Sequence, residues 1–284
     1  MARQLHDILV TAAHIAADVH RRVFAQGGYD LPSKFNAGSV AAADVVTVAD
    51  KESEQALRNY FARSMPEFNI FGEEFGAEYN GNGKVIVIDP LDGTALFRKG
   101  IPGFGPIIGV YDDGMNIGGV MHDVLRDDTI VGTLTSGFVH CGPRVDDIPP
   151  TASYDGSYFL SKRDELERRI KHAFPLLHVS SVSGLNGMQV FKRRTVAHMH
   201  ASLAWHDISA APLFGRLTGL SVTDHRGKPY TMINPETELK KYQAGTKAMV
   251  YSHPILVCRQ EYLEGYLRIL EPYTNDLDKR QNPL

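Results

Sequence analysis

The feature that most constrains this chain is an apolar run that leads directly into a cluster of turn residues. Residues 85–88 are Val-Ile-Val-Ile, and a continuous apolar run of this length is typical of a strand buried on both faces. The run continues into Asp89-Pro90-Leu91-Asp92-Gly93-Thr94. Because proline interrupts strand pairing, we predict that the chain turns here and that the carboxylates of Asp89 and Asp92 converge at the end of the strand.

Two carboxylates at one turn indicate a cation site. Neighbouring anions repel each other unless a cation lies between them, and hard oxygen ligands favour Mg²⁺ or Mn²⁺. Gly93 lets the backbone approach closely and Thr94 adds a hydroxyl. Backbone N–H groups at this point could hold a phosphate oxygen, particularly where a helix begins. A plain turn would use the same residue types, so the interpretation depends on the neighbouring motifs.

Two further acidic elements precede this turn. One is Phe71-Gly72-Glu73-Glu74, and the other is Asp44-Val45-Val46-Thr47-x-x-Asp50. Taken alone, Glu73 and Glu74 are typical of a solvated surface pair. Asp50 by itself is most simply a carboxylate at the start of a helix, and Asp44 is an acid in a loop.

The first half of the chain is predicted to begin with helices and to continue with strands. Apolar residues recur at helical spacing over 4–25, and a capping-box pattern at Thr47 to Asp50 precedes a second helix that stops near Pro66. The turn sequence at residues 112–114, Asp-Asp-Gly, predicts a hairpin between strands at 104–111 and 115–120. Another strand is expected at 129–135.

The second half is predicted to mix helices and strands, with helices over 163–173, 205–217 and 255–270 and short strands at 221–223 and 248–251. The sum is an α/β or α+β layered domain. Glycines and prolines crowd residues 136–156, so we divide the chain there. An α+β half, 1–150, carries Asp44, Glu73 and the Asp89-to-Thr94 turn, and an α/β half, 151–284, carries Asp207. The two halves are expected to form one compact unit.

Charge and terminal sequence argue against polymeric partners. The chain has 30 basic and 33 acidic side chains and a net charge of −3, whereas nucleic-acid and membrane surfaces usually call for a basic face. The N-terminal residues are too polar for a signal peptide or a membrane span, and the two cysteines form no C-x-x-C motif. We therefore expect a cytoplasmic protein with a small-molecule substrate.

The three acidic elements together resemble the inositol monophosphatase family in their order and spacing. A fourth family element, Trp-Asp followed by small residues, has a counterpart in the stretch Trp205 to Ala211, and a fifth in Gly219 to Asp224. The resemblance implies a layered α-β-α-β-α sandwich of the sugar phosphatase type. It also implies a Mg²⁺-dependent, Li⁺-sensitive phosphomonoesterase that forms a homodimer.

The resemblance also implies a set of metal ligands. Glu73, Asp89 and the backbone carbonyl of Leu91 would hold one Mg²⁺, and Asp89, Asp92 and Asp207 would hold a second. A third, weaker ion would lie by Glu73, and Mn²⁺ would substitute for Mg²⁺. Such ions neutralise phosphate oxygens, lower the pKa of a bound water and stabilise the leaving alkoxide.

For catalysis and phosphate binding, the resemblance implies that Asp44 and Thr94 orient the attacking water, with Glu73 nearby. Gly93 and Thr94 would cradle the phosphate. Asp92 and Asp207 are expected on the substrate side of the same pocket.

Three positions depart from the family pattern. His206 stands between Trp205 and Asp207, where the family has tryptophan directly before aspartate. His200 replaces a glutamate that reads ring hydroxyls in inositol-processing members, and imidazole, unlike carboxylate, can also donate a hydrogen bond. Gly184, within residues 181–185, matches the family's substrate-binding turn only loosely. We expect Gly184 and His200 to contact substrate.

Several substrates stay open on the sequence alone. An inositol phosphate or a related sugar or polyol phosphate comes first. A 3′(2′),5′-bisphosphate nucleotide is an alternative, which Arg193, Arg194 and His200 would suit, and histidinol phosphate and fructose 1,6-bisphosphate are others. A haloacid dehalogenase-type phosphatase is excluded because it needs Asp-x-Asp. A non-enzymatic family member is the least favoured hypothesis, since every acid of the motif set and Thr94 are present.

Overall fold

The computed structural model describes residues 2–26, 48–142, 151–155, 163–173, 176–180, 184–243 and 253–275. Predictions for Asp44 and for a strand at 248–251 lie outside the described residues. The described helices are α1 (Ala2–Ala25), α2 (Val48–Ser64), α3 (Thr94–Arg98), α4 (Arg163–Ala173), α5 (Gly184–Phe191), α6 (Trp205–Ile208), α7 (Ala211–Thr218), α8 (Pro235–Gln243) and α9 (Leu263–Leu270). The described strands are β1 (Asn69–Gly72), β2 (Gly76–Ala77), β3 (Lys84–Asp92), β4 (Gly105–Asp112), β5 (Met115–Asp123), β6 (Asp128–Thr133), β7 (Gly137–Cys141), β8 (Thr151–Asp155), β9 (Leu176–Ser180), β10 (Ala197–Leu203), β11 (Ser221–Thr223) and β12 (His253–Cys258).

The strands form two sheets. A seven-stranded sheet has the order β2-β1-β3-β4-β5-β6-β7, and a five-stranded sheet has the order β11-β12-β10-β8-β9. In the first sheet β3 pairs in parallel with β1 and antiparallel with β4. The predicted division at residue 150 falls between the strands of the two sheets. Because α5, α6 and α7 of the second half pack on the first sheet, the division into halves stays a prediction.

The central strand β3 is buried on both faces, as its unbroken apolar run predicts. Ile86 and Ile88 pack with residues of α1 and α2. Val85 and Val87 point the other way, into a cluster that includes residues of α5 and α7. This alternation follows from the two-residue repeat of a strand, and it places one helical layer on each side of the first sheet.

The five-stranded sheet completes the layered arrangement. One of its faces contributes Leu203, Ile255 and Val257 to the cluster that contains α5 and α7. Its other face packs against α4 and α9 in a separate cluster that includes Met199 and Leu256. The order of layers is therefore helix, sheet, helix, sheet, helix, and the α-β-α-β-α prediction is confirmed.

Two helix predictions need correction. The predicted helix at 205–217 is two helices, α6 and α7, because Pro212 in the first turn of α7 has no N–H to donate to the carbonyl of Ile208, where α6 ends. The predicted helix at 255–270 is helical only in its second part, as α9. Ile255 to Cys258 instead form β12 between β11 and β10, since a short apolar run alone does not distinguish a buried strand from a buried helix.

The remaining element predictions are confirmed within a few residues. The helix predicted at 4–25 is α1, and the helix predicted to stop near Pro66 is α2, which ends at Ser64. The hairpin of β4 and β5 turns at Asp113 and Gly114, both with left-handed backbone. None of the described helices is long and apolar enough to cross a membrane.

A pair of glycines lets the junction between α6 and α7 rest directly on the first sheet. Gly109 of β4 lies opposite Gly119 of β5. A side chain on Gly109 would overlap the Ser209 carbonyl group, and one on Gly119 would come 2.7 Å from the Ala210 Cβ. The hydroxyl of Tyr111 donates a hydrogen bond to the Ser209 carbonyl oxygen over 2.7 Å. These contacts fix the height of α6 above the sheet.

We predict that Gly109→Ala lowers the free energy of unfolding by about 1–3 kcal/mol, because the added methyl meets backbone that cannot rotate away. Urea unfolding followed by circular dichroism measures the loss. The matched control is Gly187→Ala within α5, where the nearest heavy atom to the added carbon is Val257 Cγ2 at 3.9 Å. Alanine favours a helix, so the control should be neutral or slightly stabilising. Equal unfolding midpoints for Gly109→Ala and the parent chain would contradict this account of the junction.

Candidate active site

The end of β3 brings Asp89 and Asp92 to the same side of the sheet through a β-bulge. Asp89 pairs with Ile107 of β4 and Asp92 pairs with Gly105, so the chain from Asp89 to Asp92 contains one residue more than its partner. Carboxylates three residues apart in a regular strand would point to opposite faces. The predicted convergence is correct, but the predicted turn at Pro90 is wrong. The strand continues to Asp92, and Pro90 sits in the bulge, where its missing N–H is tolerated.

The chain turns only at Gly93. This residue has φ 84° and ψ 26°, a left-handed conformation that favours glycine. A side chain there would also come 2.8 Å from the carbonyl oxygen of Gly103. The carbonyl oxygen of Gly93 accepts hydrogen bonds from Leu96 and Phe97, which starts α3 at Thr94. The backbone at the predicted phosphate cradle is therefore tightly turned and free of side-chain bulk.

Asp207 approaches this turn from the neighbouring layer. One carboxylate oxygen from each of Asp89, Asp92 and Asp207 lies within 4.8 Å of the other two, and all three residues are at most 6% exposed. The predicted ligand set of the second ion is thus assembled in space. An oxygen-only set of this kind is the environment that Mg²⁺ and Mn²⁺ prefer.

Backbone N–H groups from three different elements orient these carboxylates. Leu91 donates to Asp89 over 3.0 Å, and Ala204 donates to Asp207 over 2.7 Å. Asp92 accepts from Gly184 at 3.2 Å and from Leu185 at 2.7 Å, both at the start of α5. Each carboxylate is fixed by main chain, so its position depends on how the layers pack rather than on a flexible side-chain partner.

Aromatic packing holds α6, which carries Asp207. The ring of Trp205 meets the rings of Phe71 and Tyr111 in edge-to-face contacts, each with centroids 5.1 Å apart. Phe71 belongs to β1 and Tyr111 to β4. Trp205 therefore anchors α6 to the first sheet. It lies two residues before Asp207, which together with Asp89 and Asp92 forms the acidic cluster.

Glu73 joins the cluster because β1 runs parallel to β3. Gly72 pairs with Ile88, and the N–H of Glu73 donates to the carbonyl oxygen of Ile88 over 3.2 Å. This places Glu73 beside Asp89, the next residue of β3. Glu73, Asp89 and His206 form a second group whose potential ligand atoms lie within 4.8 Å of one another.

The turn that carries Glu73 is held from behind by Glu54, a residue that sequence reasoning did not single out. Glu54 is fully buried and accepts hydrogen bonds from the N–H groups of Glu74, at 2.7 Å, and Phe75, at 3.2 Å. A side chain at Gly72 would overlap this carboxylate. The glutamate pair at 73–74 is therefore part of a packed turn, not a solvated surface pair.

Thr94 is paired with Asp50, which sequence reasoning treated as a helix-start carboxylate. The hydroxyl oxygen of Thr94 lies 3.1 Å from Asp50 Oδ1 and 2.8 Å from the carbonyl oxygen of Leu91. Asp50 is 1% exposed, in the first turn of α2. The sequence signal that could have identified Asp50 is its place as the second aspartate of the D-x-V-T-x-x-D motif. Asp44, the first, was predicted to work with Thr94, and because it lies outside the described residues its role stays a prediction.

The two residues predicted to contact substrate, Gly184 and His200, lie in different places in the fold. Gly184 is at the acidic cluster: its N–H bonds to Asp92, and a side chain there would come 2.5 Å from the carbonyl oxygen of Asp207. His200 is buried in β10, opposite Ile255 of β12. Its contact with substrate stays a prediction.

Charge repulsion in the cluster is visible in the pKa values. Desolvation by the surrounding protein, followed by the charges of Asp50 and Asp207, raises the pKa of Glu73 above its ordinary value, although 27% of its side chain remains accessible. Burial, followed by Glu73 and Asp92, does the same to the pKa of Asp89. Buried carboxylates that hold protons this tightly would ionise readily beside a divalent cation. The donor set and its charge therefore fit a metal centre.

Comparison with known proteins agrees with this geometry. Residues 1–243 match the family model described as the inositol monophosphatase family. The chain belongs to the inositol monophosphatase family. An IMPase from Thermotoga maritima superposes with a TM-score of 0.76 over 95% of this chain and 99% of that one, at 19% identity. This likeness at low identity shows the shared fold.

Two curated relatives are similar over parts of their length. A histidinol-phosphatase from Chlorobaculum parvum is 39% identical over 69 residues, which is 24% of this chain and 27% of that protein. A fructose-1,6-bisphosphatase/inositol-1-monophosphatase from Thermotoga maritima is 27% identical over 197 residues, 65% of this chain and 73% of that protein. The chain thus spans about a quarter of the first relative and about three quarters of the second.

We predict that this inositol monophosphatase family member becomes more stable without metal when Asp89 is changed to Asn. A carboxyl whose pKa is raised in the folded state favours folding at low pH, and that contribution is lost as the pH rises above its unfolded pKa. In chelator at pH 7.5, Asp89→Asn should therefore exceed the parent's free energy of unfolding by on the order of 1 kcal/mol. The difference should shrink as the pH approaches 4.

Urea unfolding at several pH values, with and without Mg²⁺, provides the measurement. Asp113→Asn is the control, because this exposed turn aspartate has a left-handed backbone that asparagine also tolerates. The control should match the parent at every pH. An Asp89→Asn variant that is less stable than the parent in chelator at pH 7.5 would refute the repulsion argument.

Proposed function

We propose that this protein is a phosphoric monoester hydrolase that cleaves a small phosphate ester with a metal-activated water. The observation that carries the proposal is the meeting of Asp89, Asp92, Asp207 and Glu73 beside the glycine turn at Gly93. Mg²⁺ fits this oxygen donor set best, and Mn²⁺ would substitute for it. Family membership and the phosphatase names of the relatives support the same reaction class.

The metal ligands follow from the geometry and the family pattern together. Glu73, Asp89 and the carbonyl group of Leu91 would hold one ion, and Asp89, Asp92 and Asp207 a second, with a third near Glu73. When bound, the ions would neutralise the phosphate and lower the pKa of a water molecule. We also expect inhibition by Li⁺, as the family resemblance implies.

Asp50 and Thr94 have the arrangement needed to position that water. Asp50 is buried and accepts a hydrogen bond from the Thr94 hydroxyl. The lone pairs of the Thr94 oxygen then remain to accept a hydrogen bond from water, which would point the oxygen of the water outward for attack. The left-handed turn at Gly93 starts α3 at Thr94, and N–H groups at the start of a helix would favour a phosphate oxygen there.

We propose that the substrate is an inositol phosphate or a related sugar or polyol phosphate. Relatives named for histidinol phosphate, fructose 1,6-bisphosphate and inositol phosphate share the family, so the site chemistry accommodates several alcohols. A 3′(2′),5′-bisphosphate nucleotide is the further alternative. Gly184 would contact the alcohol part, because it lies between Asp92 and Asp207, and His200 is the second candidate. The homodimer and the cytoplasmic location stay predictions.

The reaction is tested by phosphate release in Mg²⁺ from inositol 1-phosphate, histidinol phosphate, fructose 1,6-bisphosphate and adenosine 3′,5′-bisphosphate. At least one ester should be hydrolysed. Asp50→Asn and Thr94→Ala should each lower kcat by about 10²–10⁴-fold with little change in KM. The double variant should lose little more than either single variant, because the two residues act as a unit.

Two further variants make the test specific. Glu52→Gln, in the same helix as Asp50 but exposed, should keep parental kcat. Asp44→Asn separates the two aspartates of the motif. A large loss in Asp44→Asn with no loss in Asp50→Asn would assign the water to Asp44 instead, and no phosphate release from any ester would argue against the proposed reaction for these substrates.

A further inference from the structure

His206 is the one nitrogen base in the two groups of potential ligand atoms at the active site, among the described residues. Its Nε2 lies 3.8 Å from Glu73 Oε1 and 3.9 Å from Asp207 Oδ1. The side chain is 6% exposed. It is positioned by α6, which Trp205 anchors on one side and Asp207 on the other. The imidazole is therefore held against the carboxylates rather than free to turn into solvent.

The distances from His206 Nε2 to the two carboxylate oxygens are close to those between ligand atoms of one metal ion. A small rotation of a side chain would let these atoms bind the same ion. Ligand atoms about 2.1 Å from one metal lie about 3 to 4.2 Å from one another. Glu73 is the more exposed partner, with 27% of its side chain accessible, and it can make that rotation. Asp89 lies within the same group, so an ion between Glu73 and Asp89 would also lie within reach of His206.

We infer that His206 is a metal ligand and that it shifts the preference of this centre from Mg²⁺ towards Mn²⁺, Co²⁺ or Zn²⁺. The inference rests on the proposed function, because it concerns the same metal centre. Mg²⁺ binds almost only oxygen, whereas imidazole suits first-row transition metals. A single nitrogen among carboxylates would therefore discriminate between ions that the oxygen ligands alone accept similarly.

The test is pulsed electron paramagnetic resonance of Mn²⁺ bound to the 284-residue chain, which detects coupling to a ligand nitrogen. The parent should show ¹⁴N coupling, and His206→Gln should lose it. His225→Gln, a change of another buried histidine, is the control and should keep it. In parallel, His206→Gln should reduce the ratio of Mn²⁺ affinity to Mg²⁺ affinity at least tenfold, measured by equilibrium titration.

The outcomes of this test distinguish the role of His206 from the proposed function. Mn²⁺ binding without ¹⁴N coupling in the parent would overturn the role of His206 and leave the metal centre intact. An imidazolium that pairs with Glu73 in place of a cation would give this result, with Mn²⁺ affinity higher in His206→Gln than in the parent. Failure of the parent to bind Mn²⁺ or Mg²⁺ at all would overturn the metal centre and the proposed function with it.

A second group of ligands lies between α1 and the turn that joins β5 to β6. His14 of α1 and His122 of β5 have ring centroids 5.5 Å apart in an edge-to-face contact. Asp127 belongs to the turn. One potential ligand atom from each of these three residues lies within 4.8 Å of the others. None of the three takes part in the active site described above.

His122 is the buried member of this group, with no side-chain exposure. Its Nδ1 lies 2.7 Å from the hydroxyl of Thr129. Its Nε2 makes no hydrogen bond with any described residue and lies 4.0 Å from Asp127 Oδ1. A histidine whose Nδ1–H is held by a neighbouring oxygen presents the Nε2 lone pair, which is the usual arrangement of a metal-binding imidazole.

From this geometry we propose a second metal site, formed by His14, His122 and Asp127, for Zn²⁺ or a similar transition metal. Two imidazoles and one carboxylate with a surface position for water form a known zinc ligand set. Arg21 competes for the same carboxylate, since its Nη2 lies 2.9 Å from Asp127 Oδ1. Metal binding would leave Arg21 with its other partners, Asp18 and the carbonyl oxygen of Val124.

Zinc content after equilibrium dialysis of the 284-residue chain tests this site. His14→Ala should bind one equivalent of Zn²⁺ fewer than the parent, and His6→Ala, in the same helix, should bind as much as the parent. Arg21→Gln should bind this equivalent several-fold more tightly, because the competing cation is gone. Equal zinc content in His14→Ala and the parent would overturn the site, and unchanged affinity in Arg21→Gln would overturn the assignment of Asp127 as a ligand.

Discussion

The repulsion among buried carboxylates at the end of β3 is the constraint on which the arrangement of the layers depends. Asp89 is fixed by β3 itself, Asp92 by the first N–H groups of α5, and Asp207 by the residue before α6. The first sheet and the middle helices must therefore meet at one point for these bonds to form together. Since like charges in a buried pocket oppose that meeting, apolar packing on either side has to hold it.

The apolar packing around α6 holds the cluster of Asp89, Asp92 and Asp207 at the edge of the core. Trp205 fills the space between Phe71 and Tyr111, and the glycine pair of Gly109 and Gly119 lets the chain after α6 lie flat on the sheet. Without metal, repulsion among the carboxylates disfavours folding. Apolar packing on the two faces of β3 offsets this unfavourable free energy. A cation that binds only the folded state would raise the free energy of unfolding according to its affinity. The contacts that bring the carboxylates together would then serve both cation binding and folding.

Much of the fold and part of the site follow from the sequence, and the failures have physical causes. The Val85-to-Ile88 run predicts a buried strand, because all four residues are β-branched and turn residues follow them. The bulge after Asp89 is invisible in the sequence, because register depends on the partner strand β4. The pairing of Thr94 with Asp50 was missed for a similar reason: a motif with two aspartates does not say which one the tertiary fold brings to the hydroxyl.

Two of the three departures from the family pattern lie on one segment, β10 and α6. His200 and His206 stand where the family has glutamate and tryptophan, while Asp207 beside them is held by the Ala204 N–H and Trp205 by the first sheet. Because main chain and apolar packing secure Asp207, neighbouring side chains can change without moving its carboxylate. The reaction class is thus tied to contacts that the fold itself requires. We propose that the choice of metal and of alcohol depends on these neighbouring side chains, and we expect this chain to differ from its relatives there.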